Sequence, residues 1–588
     1  MELRGTSWQS RGGIGFRINM KNLNILGISF LPESSVTVLR NGSVVAAVSE
    51  ERLNRVKLSH GFPKLAVNTA LKLADLTIDD IDVIATHGAA PSAPEEKPFL
   101  DKENAILNSD LPKEVREAQI ANIRQRLEHE RMVLGKRTPQ YLAEIQTLGK
   151  PVRIYGHHEC HAATAFYGSG WDDCFVLTAD GWGEDGSSTL RRCRNGKMEL
   201  ISKSFTFDSL GYFYGSITKA LGFIPHRHEG KVLGLAAFCK EPKSYKTVRS
   251  MVDFDADQNR FLGRMDRGIY LPRFENPYLK ELALQYTRED MAASAQQTLE
   301  EVVCACVSQL AQSQGGSKIR LALAGGVFAN VKLNQRLLEL PQVSDIFIFP
   351  NMGDGGLSVG AAWLAHQAIT GRSPAPWRNC YLGPSYSDDE IAGEINQFNL
   401  QYEHLNNIAE TVGTLLAGGQ IVARFDGPME FGPRALGNRS ILVQATDPTV
   451  NNWLNQRLNR SEFMPFAPAT LAQYADDCYV GLDGGREAAK YMTMTFSCTD
   501  RMKAQSGAAV HVDGTARPQL VSQQTNKQFY DILMAYHSKT GIPSLVNTSF
   551  NMHEEPIVCT VNDALRSILD GKLPYLAVGN FLVKNNKI

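Results

Sequence analysis

The sequence is short of several features, and each shortage removes a class of function. No stretch in its 588 residues approaches ~18 consecutive apolar residues, so nothing reads as a membrane-spanning helix. Neither sign of charge is in excess: 61 basic and 62 acidic residues give a formal net charge of -1, which leaves no global field to recruit nucleic acid or an anionic membrane. The ten cysteines lack the paired spacing of a zinc site, with Cys304-x-Cys306 the one near pair. That usage suits reduced thiols and a cytoplasmic setting rather than a disulfide framework. Residues 1–20 are rich in Gly, Ser and Arg without a signal-peptide hydrophobic stretch, and are expected to be an extension outside the fold. No internal repeat and no low-complexity tract is visible.

Among what is present, the run Gly156-His157-His158-Glu159-Cys160-His161 is the most informative. His157 and His161 are four apart, so on a helix they share one face. Two imidazoles so held are a half-site for a divalent metal. Soon after, Cys174 to Ala179 reads as a buried strand delivering Asp180 at its tip. Asp354 stands in a similar setting, in Asn351-Met352-Gly353-Asp354-Gly355-Gly356. Two histidines and two loop aspartates would complete a mixed N/O shell. The alternative makes His157 a helix cap and His161 an ordinary core histidine.

With 43% hydrophobic residues the chain can bury a large core, and its length suggests two to four domains. A strand at Asn24–Phe30 enters the polar turn Pro32-Glu33-Ser34-Ser35, and an Asn41-Gly42 hairpin signal follows. Further apolar runs alternate with helical patterns, notably 291–314, in the α/β manner. The charged stretch 94–150 reads as helical, a solvated cap over the core. A break at Gly371 to Trp377 divides an N-terminal domain, 21–372, from a C-terminal α/β domain, 373–588.

Three more segments carry chemistry. Strand, Gly325-Gly326 turn and helix, ending at Asn330, form a turn whose N–H groups suit a phosphate; a purely structural turn is the alternative. Glu229 and Lys231 open a small-residue helix and are candidates to line the same cleft, or else a solvated surface turn. In the second half, Gly432-Pro433-Arg434-Ala435-Leu436-Gly437-Asn438-Arg439-Ser440 fixes two arginines in a stiff frame, Arg517 adds a third, and Asn547 to Asn551 offers amides and hydroxyls at a strand end. Arginine forks match phosphate and carboxylate geometry.

Together these motifs resemble the O-carbamoyltransferase family of the tobramycin, cephem, novobiocin and nodulation-factor enzymes. The resemblance runs from about Asn24 to the C-terminus and rests on His157 to Ala163, on the run from Gly432, and on Asn547 to Asn551 followed by Glu555 to Val558. It implies an actin/sugar-kinase-like, threonylcarbamoyl-transferase-like N-terminal domain and a YrdC-like C-terminal domain. The C-terminal domain would convert carbamoyl phosphate and ATP, with Mg2+, into carbamoyladenylate and pyrophosphate. The N-terminal domain would then pass the carbamoyl group to a hydroxyl of a small natural product or glycan, releasing AMP. The family's metal, iron(II) or a substitute, would be held by His157, His161, Asp180 and Asp354. The adenylate pocket would include Arg434, Arg439, Arg460, Arg517, Asn547 and Ser549, while Lys57 matches the family's lysine beside the first turn.

Two departures matter. Relatives carry His-Asp in the first turn, where this chain has Pro32-Glu33, so Glu33 substitutes or the base lies elsewhere. Between Leu458 and Met464 a family lysine and arginine are missing, unless Arg457 or Arg460 reaches in. The rival readings are a tRNA threonylcarbamoyl-type enzyme, which would want a basic stripe for RNA, and a nucleotide-binding scaffold with reduced catalysis. The expected partner is a small-molecule hydroxyl acceptor, with no nucleic acid and no membrane, and the expected state is a monomer or homodimer.

Overall fold

The computed structural model describes residues 22–88, 96–183, 186–267, 269–271, 274–458 and 463–586; the 1–20 extension and Arg460 lie outside the described residues. Contacts divide the chain into two units. The first takes residues up to Val45, His60–Lys64 and Ala74–Trp377, and the second takes Ala46–Ser59, Leu65–Leu73 and Arg378–Ile588.

In the first unit, β1 (Asn24–Ser29) runs antiparallel to β2 (Ser35–Arg40), which turns through Asn41-Gly42 into β3 (Ser43–Ser49), a strand whose residues from Ala46 on are grouped with the second unit. Asn41 and Gly42 have φ of 50° and 85°, the left-handed pair that an Asn-Gly hairpin turn requires. On the other side, β4 (Val83–His87) and β5 (Val152–Tyr155) continue in parallel, giving the order β3-β2-β1-β4-β5. A second sheet begins with β6 (Asp173–Gly183), β7 (Gly186–Arg194) and β8 (Lys197–Ser204), an antiparallel meander. After the ribbon of β9 (Val252–Asp255) and β10 (Arg260–Gly263), β11 (Ile319–Ala324) and β12 (Val343–Ile348) join it in parallel, in the order β12-β11-β6-β7-β8.

Both sheets therefore put their first strand in the middle, the next two on one side and two parallel strands on the other. The sequence shows no repeat, yet the topology repeats. Ladder hydrogen bonds constrain the backbone and only ask side chains to alternate or be buried, so equivalent strands need share no residues. This unit has the actin/sugar-kinase-like arrangement expected.

The 96–150 region is helical, with helices Lys97–Leu107, Lys113–Met132 and Thr138–Gln146. It is more than a solvated cap. Phe99, Ile106 and Ile123 are buried with Phe207, Met265 and Tyr270 in one apolar cluster, so the charged composition hides a seam that the linear pattern did not reveal.

The second unit holds an eight-stranded mixed sheet with Tyr575–Val578, Val422–Phe425, Arg439–Gln444, Ser544–Ser549 and Ala467–Leu471 as successive neighbours. Helices Ile408–Ala417 and Lys527–Thr540 cover it through Val412, Leu416, Phe529, Leu533 and Tyr536. The fold class is α/β throughout. Among the described residues no helix is long and apolar enough to cross a membrane.

Candidate metal centre and the loops of the second unit

Helix His157–Ser169 begins at Gly156, whose N–H donates to the Glu159 carboxylate, and ends at Gly170 in the left-handed conformation, φ 69°. Its first turns carry the three histidines, all buried. The helix periodicity aims His157 and His161 to one point, where their Nε2 atoms stand 3.1 Å apart.

Asp180 reaches the same point because β6 outlasts its partner. Pairing with β11 stops at Thr178 opposite Ala324, and the register with β7 shifts between Ala179 and Gly183. Such an irregularity re-aims a side chain at a strand tip. The tip also lies where strand order reverses, the usual ligand position in an open parallel sheet. Asp180 Oδ2 is 3.2 Å from His161 Nε2 and 3.7 Å from His157 Nε2. Asp354 follows β12 and brings Oδ1 to 3.5 Å from each Nε2. One ligand atom from each of the four residues lies within 4.8 Å of all the others.

Two imidazole nitrogens and two carboxylate oxygens crowd together with few protons to share. Burial alone would raise the Asp180 carboxyl, but hydrogen bonds and charge from His157 and His161 hold it well below its usual range. Asp354 Oδ1 is buried without a hydrogen-bond partner. A single divalent cation would answer all four donors at once, and the donor set suits a borderline metal such as iron(II) or zinc. The residues fit the group.

His158 is different. Its Nε2 faces the Gly186 carbonyl at 3.3 Å, which can only accept, so Nε2 carries the proton and Nδ1 accepts from Thr178 Oγ1 at 3.0 Å. Burial, and then the neighbouring His157 and His161, push its pKa well below the ordinary value. It remains a neutral brace between the helix and the second sheet.

The Gly325-Gly326 turn serves this centre directly. Gly325 has φ 103°, and a Cβ there would lie 2.2 Å from the Ala179 carbonyl oxygen; a Cβ on Gly326 would lie 3.1 Å from Asp180 Oδ1. The glycines let β11 pack against the strand end that carries the ligand. Asn330, expected at the nucleotide, is spent on structure. Its Oδ1 caps helix Val331–Leu338 through Leu333 N–H at 3.0 Å, and its amide pairs with Gln296 at 2.8 and 3.1 Å. Glu229 and Lys231 sit in the first turn of helix Glu229–Ala236, where Glu229 accepts the His226 N–H at 2.7 Å.

The first turn holds the Asp354 loop. Ser29 Oγ donates to the Asp354 carbonyl (3.2 Å), Ser35 Oγ to that of Gly355 (2.8 Å), and Glu33 Oε2 accepts the Gly355 N–H (3.3 Å). Sequence reasoning missed His87, the last residue of β4. It is buried, its Nε2 accepts from Phe30 N–H at 3.3 Å and lies 3.2 Å from Ser29 Oγ, and its ring centroid is 6.2 Å from that of His157. Its signal was positional: a histidine ending a strand parallel to the first one.

The second unit corrects one expectation outright. Arg439, expected to clamp an anion, is fully buried, and its guanidinium donates to the carbonyls of Asp426 (2.8 Å), Gly427 (3.2 Å), Asn438 (2.9 Å) and Pro384 (3.0 Å) while lying over Phe425. Arg424, also missed, does similar work on Gly437 and Asp426. The N–H groups of Leu436, Asn438 and Arg439 form an anion nest that Glu430 Oε1 already fills, at 2.8, 2.8 and 3.2 Å. Asn547 donates to Gln519 (2.8 Å) and the Ala435 carbonyl (3.3 Å), so it also holds this loop. Arg434, Arg517 and Ser549 are partly buried. Lys57 belongs to the second unit rather than to the unit that holds the first turn.

Comparison with known proteins gives the class. The Carbamoyltransferase N-terminus matches residues 24–363 and the Carbamoyltransferase C-terminus residues 413–585, as in enzymes that transfer carbamoyl groups. The chain belongs to the carbamoyltransferase family. It is similar to Nodulation protein NolNO of Sinorhizobium fredii, 31% identical over 573 residues that cover 95% of this chain and 79% of that protein. It is 30% identical to the uncharacterized protein MJ1051 of Methanocaldococcus jannaschii, over 96% of this chain and all (100%) of that one. A solved full-length HypF superposes only loosely, with a TM-score of 0.30 and 14% identity over 59% of this chain and 47% of that one.

Calorimetric titration with Fe2+ or Zn2+ is expected to give one tight site, weakened at least about a hundredfold in His161→Ala and left nearly unchanged in Cys174→Ala. Gly325→Ala should lower the unfolding free energy by roughly 2–4 kcal/mol in urea, because its backbone conformation is one side chains avoid and its Cβ has no room.

Proposed function

We propose that the protein is an ATP-dependent O-carbamoyltransferase acting on a hydroxyl of a small natural product or glycan. The observation that carries this reading is the convergence of His157, His161, Asp180 and Asp354 in a chain that matches both carbamoyltransferase regions.

The chemistry needs two stages because a carbamoyl carbon is a poor electrophile, its nitrogen feeding electrons into the carbonyl. In the first, water releases phosphate from carbamoyl phosphate to leave carbamate. A carbamate oxygen then attacks the α-phosphorus of ATP, and pyrophosphate departs. Arg434 and Arg517 bind the phosphate oxygens as bidentate donors, and Ser549 orients the adenylate. Arg439 and Glu430 act one step back, holding the loop in shape.

In the second stage the acceptor oxygen attacks the carbamoyl carbon, its proton leaves, and AMP departs with the electrons of the broken C–O bond. Glu33, fixed on the Asp354 turn by the Gly355 N–H, takes that proton. His157, His161, Asp180 and Asp354 would hold the metal, which would supply Lewis acidity toward the transferred group, worth several kcal/mol of barrier.

The reading is tested by incubating the protein with carbamoyl phosphate, ATP, Mg2+ and a panel of alcohols. Pyrophosphate, AMP and an acceptor one carbamoyl group heavier are the expected products. His157→Ala should lose at least a hundredfold in transfer while pyrophosphate release stays within about twofold. Equal loss of both with the fold intact would remove the division of labour. Arg439→Ala is expected to cost roughly 3–5 kcal/mol of stability, by leaving several buried carbonyls without donors, and to lose adenylation only as a consequence.

A further inference from the structure

The segment Ala46–Ser59 precedes nearly all of the first unit in sequence, yet it groups with the second. Its short helix, Glu50–Asn54, is pinned at both ends. The Glu50 carboxylate accepts the N–H groups of Leu65 (3.2 Å) and Ala66 (2.7 Å). Beyond the helix, Arg55 and Leu58 both adopt left-handed backbone, φ 62° and 55°, and Leu58 N–H closes onto Glu51 Oε2 at 2.9 Å. Asn54 then ties the turn shut through Val56 N–H and Ser59 Oγ, each at 2.8 Å. Two non-glycine residues held left-handed in four positions is a costly arrangement that persists only where the surroundings enforce it.

Two arginines of this segment reach the loops that carry the second unit's motifs. Arg52, 3% exposed, donates to the Gly432 carbonyl at 2.7 Å, one residue before Pro433-Arg434. Arg55 forks onto two successive carbonyls, Pro556 and Ile557, both at 2.7 Å, and lies 3.6 Å from Asp563 and 3.8 Å from Glu555. A fork that spans two carbonyls fixes a loop's direction as well as its place, which a lysine point charge does not.

We infer that residues 46–59 are the third loop of the second unit's adenylate-forming site, with Arg52 and Arg55 as positioning residues for Gly432 and Pro556–Ile557. This rests on the function proposed above.

The test uses the full chain. Hydrogen exchange reads the loops without any catalysis: Arg55→Ala should raise exchange at least about tenfold in residues 551–558, with helix Lys527–Thr540 unchanged, and Arg52→Ala should do so in 432–440. Unchanged exchange in both variants overturns the inference whether or not the protein makes carbamoyladenylate. In pyrophosphate release, Arg55→Ala should raise KM for carbamoyl phosphate or ATP at least about tenfold with kcat within about twofold. Arg55→Lys should recover less than half of that loss, and it replaces the alanine variant if that one fails to fold. Absence of pyrophosphate with the wild-type protein would instead sink the proposed function and leave the exchange result standing.

Discussion

The first unit depends on bringing two imidazole nitrogens and two carboxylate oxygens within 4.8 Å of one another. Left to themselves these lone pairs and negative charges repel, and their partial burial removes the water that would screen them. The surrounding structure offsets that cost. A helix start sets the spacing of the histidines, a strand that outruns its neighbour presents Asp180, and serine hydroxyls from the first turn fix the Asp354 loop from behind. Each element would be unremarkable alone, and only their meeting defines a centre.

The second unit solves an opposite problem. Its loop from Gly432 to Ser440 is rich in donors, and a sequence reader gives those donors to a phosphate. Much of that capacity is used internally: Glu430 takes three backbone N–H groups, while Arg439 takes four carbonyls. The loop is thereby rigid before any ligand arrives, so little conformational entropy remains to be lost on binding. A pattern as specific as Gly-Pro-Arg-Ala-Leu-Gly-Asn-Arg-Ser thus encodes a shape as much as a set of contacts, and its two arginines differ in burial: Arg434 partly buried, Arg439 enclosed.

This difference marks how much was legible in the sequence. Periodicity and spacing gave the four clustered residues, because the i, i+4 pair and the strand-tip acids obey local rules. The Asn41-Gly42 hairpin and the long helix at 288–313 were readable for the same reason. What escaped depends on contacts distant in sequence. Asn330 looks like a phosphate-side amide until Gln296, 34 residues earlier, claims it. His87 carries no motif, and becomes notable only when β4 lies parallel to β1. The repeated strand order was invisible because it is a property of hydrogen-bond ladders.

The first turn shows how a polar side chain is held against the loop that carries Asp354. Here Glu33 adopts left-handed backbone, φ 69°, and that twist carries its carboxylate to the Gly355 N–H on the turn that bears Asp354. Left-handed backbone is unfavourable for a glutamate, so the conformation must be imposed by its surroundings. The neighbouring Ser35 is tied to Gly355 and to Ser358, which supplies that constraint. The serine that ties the turn to Gly355 and Ser358 is thus part of what keeps the Glu33 carboxylate on the Gly355 N–H.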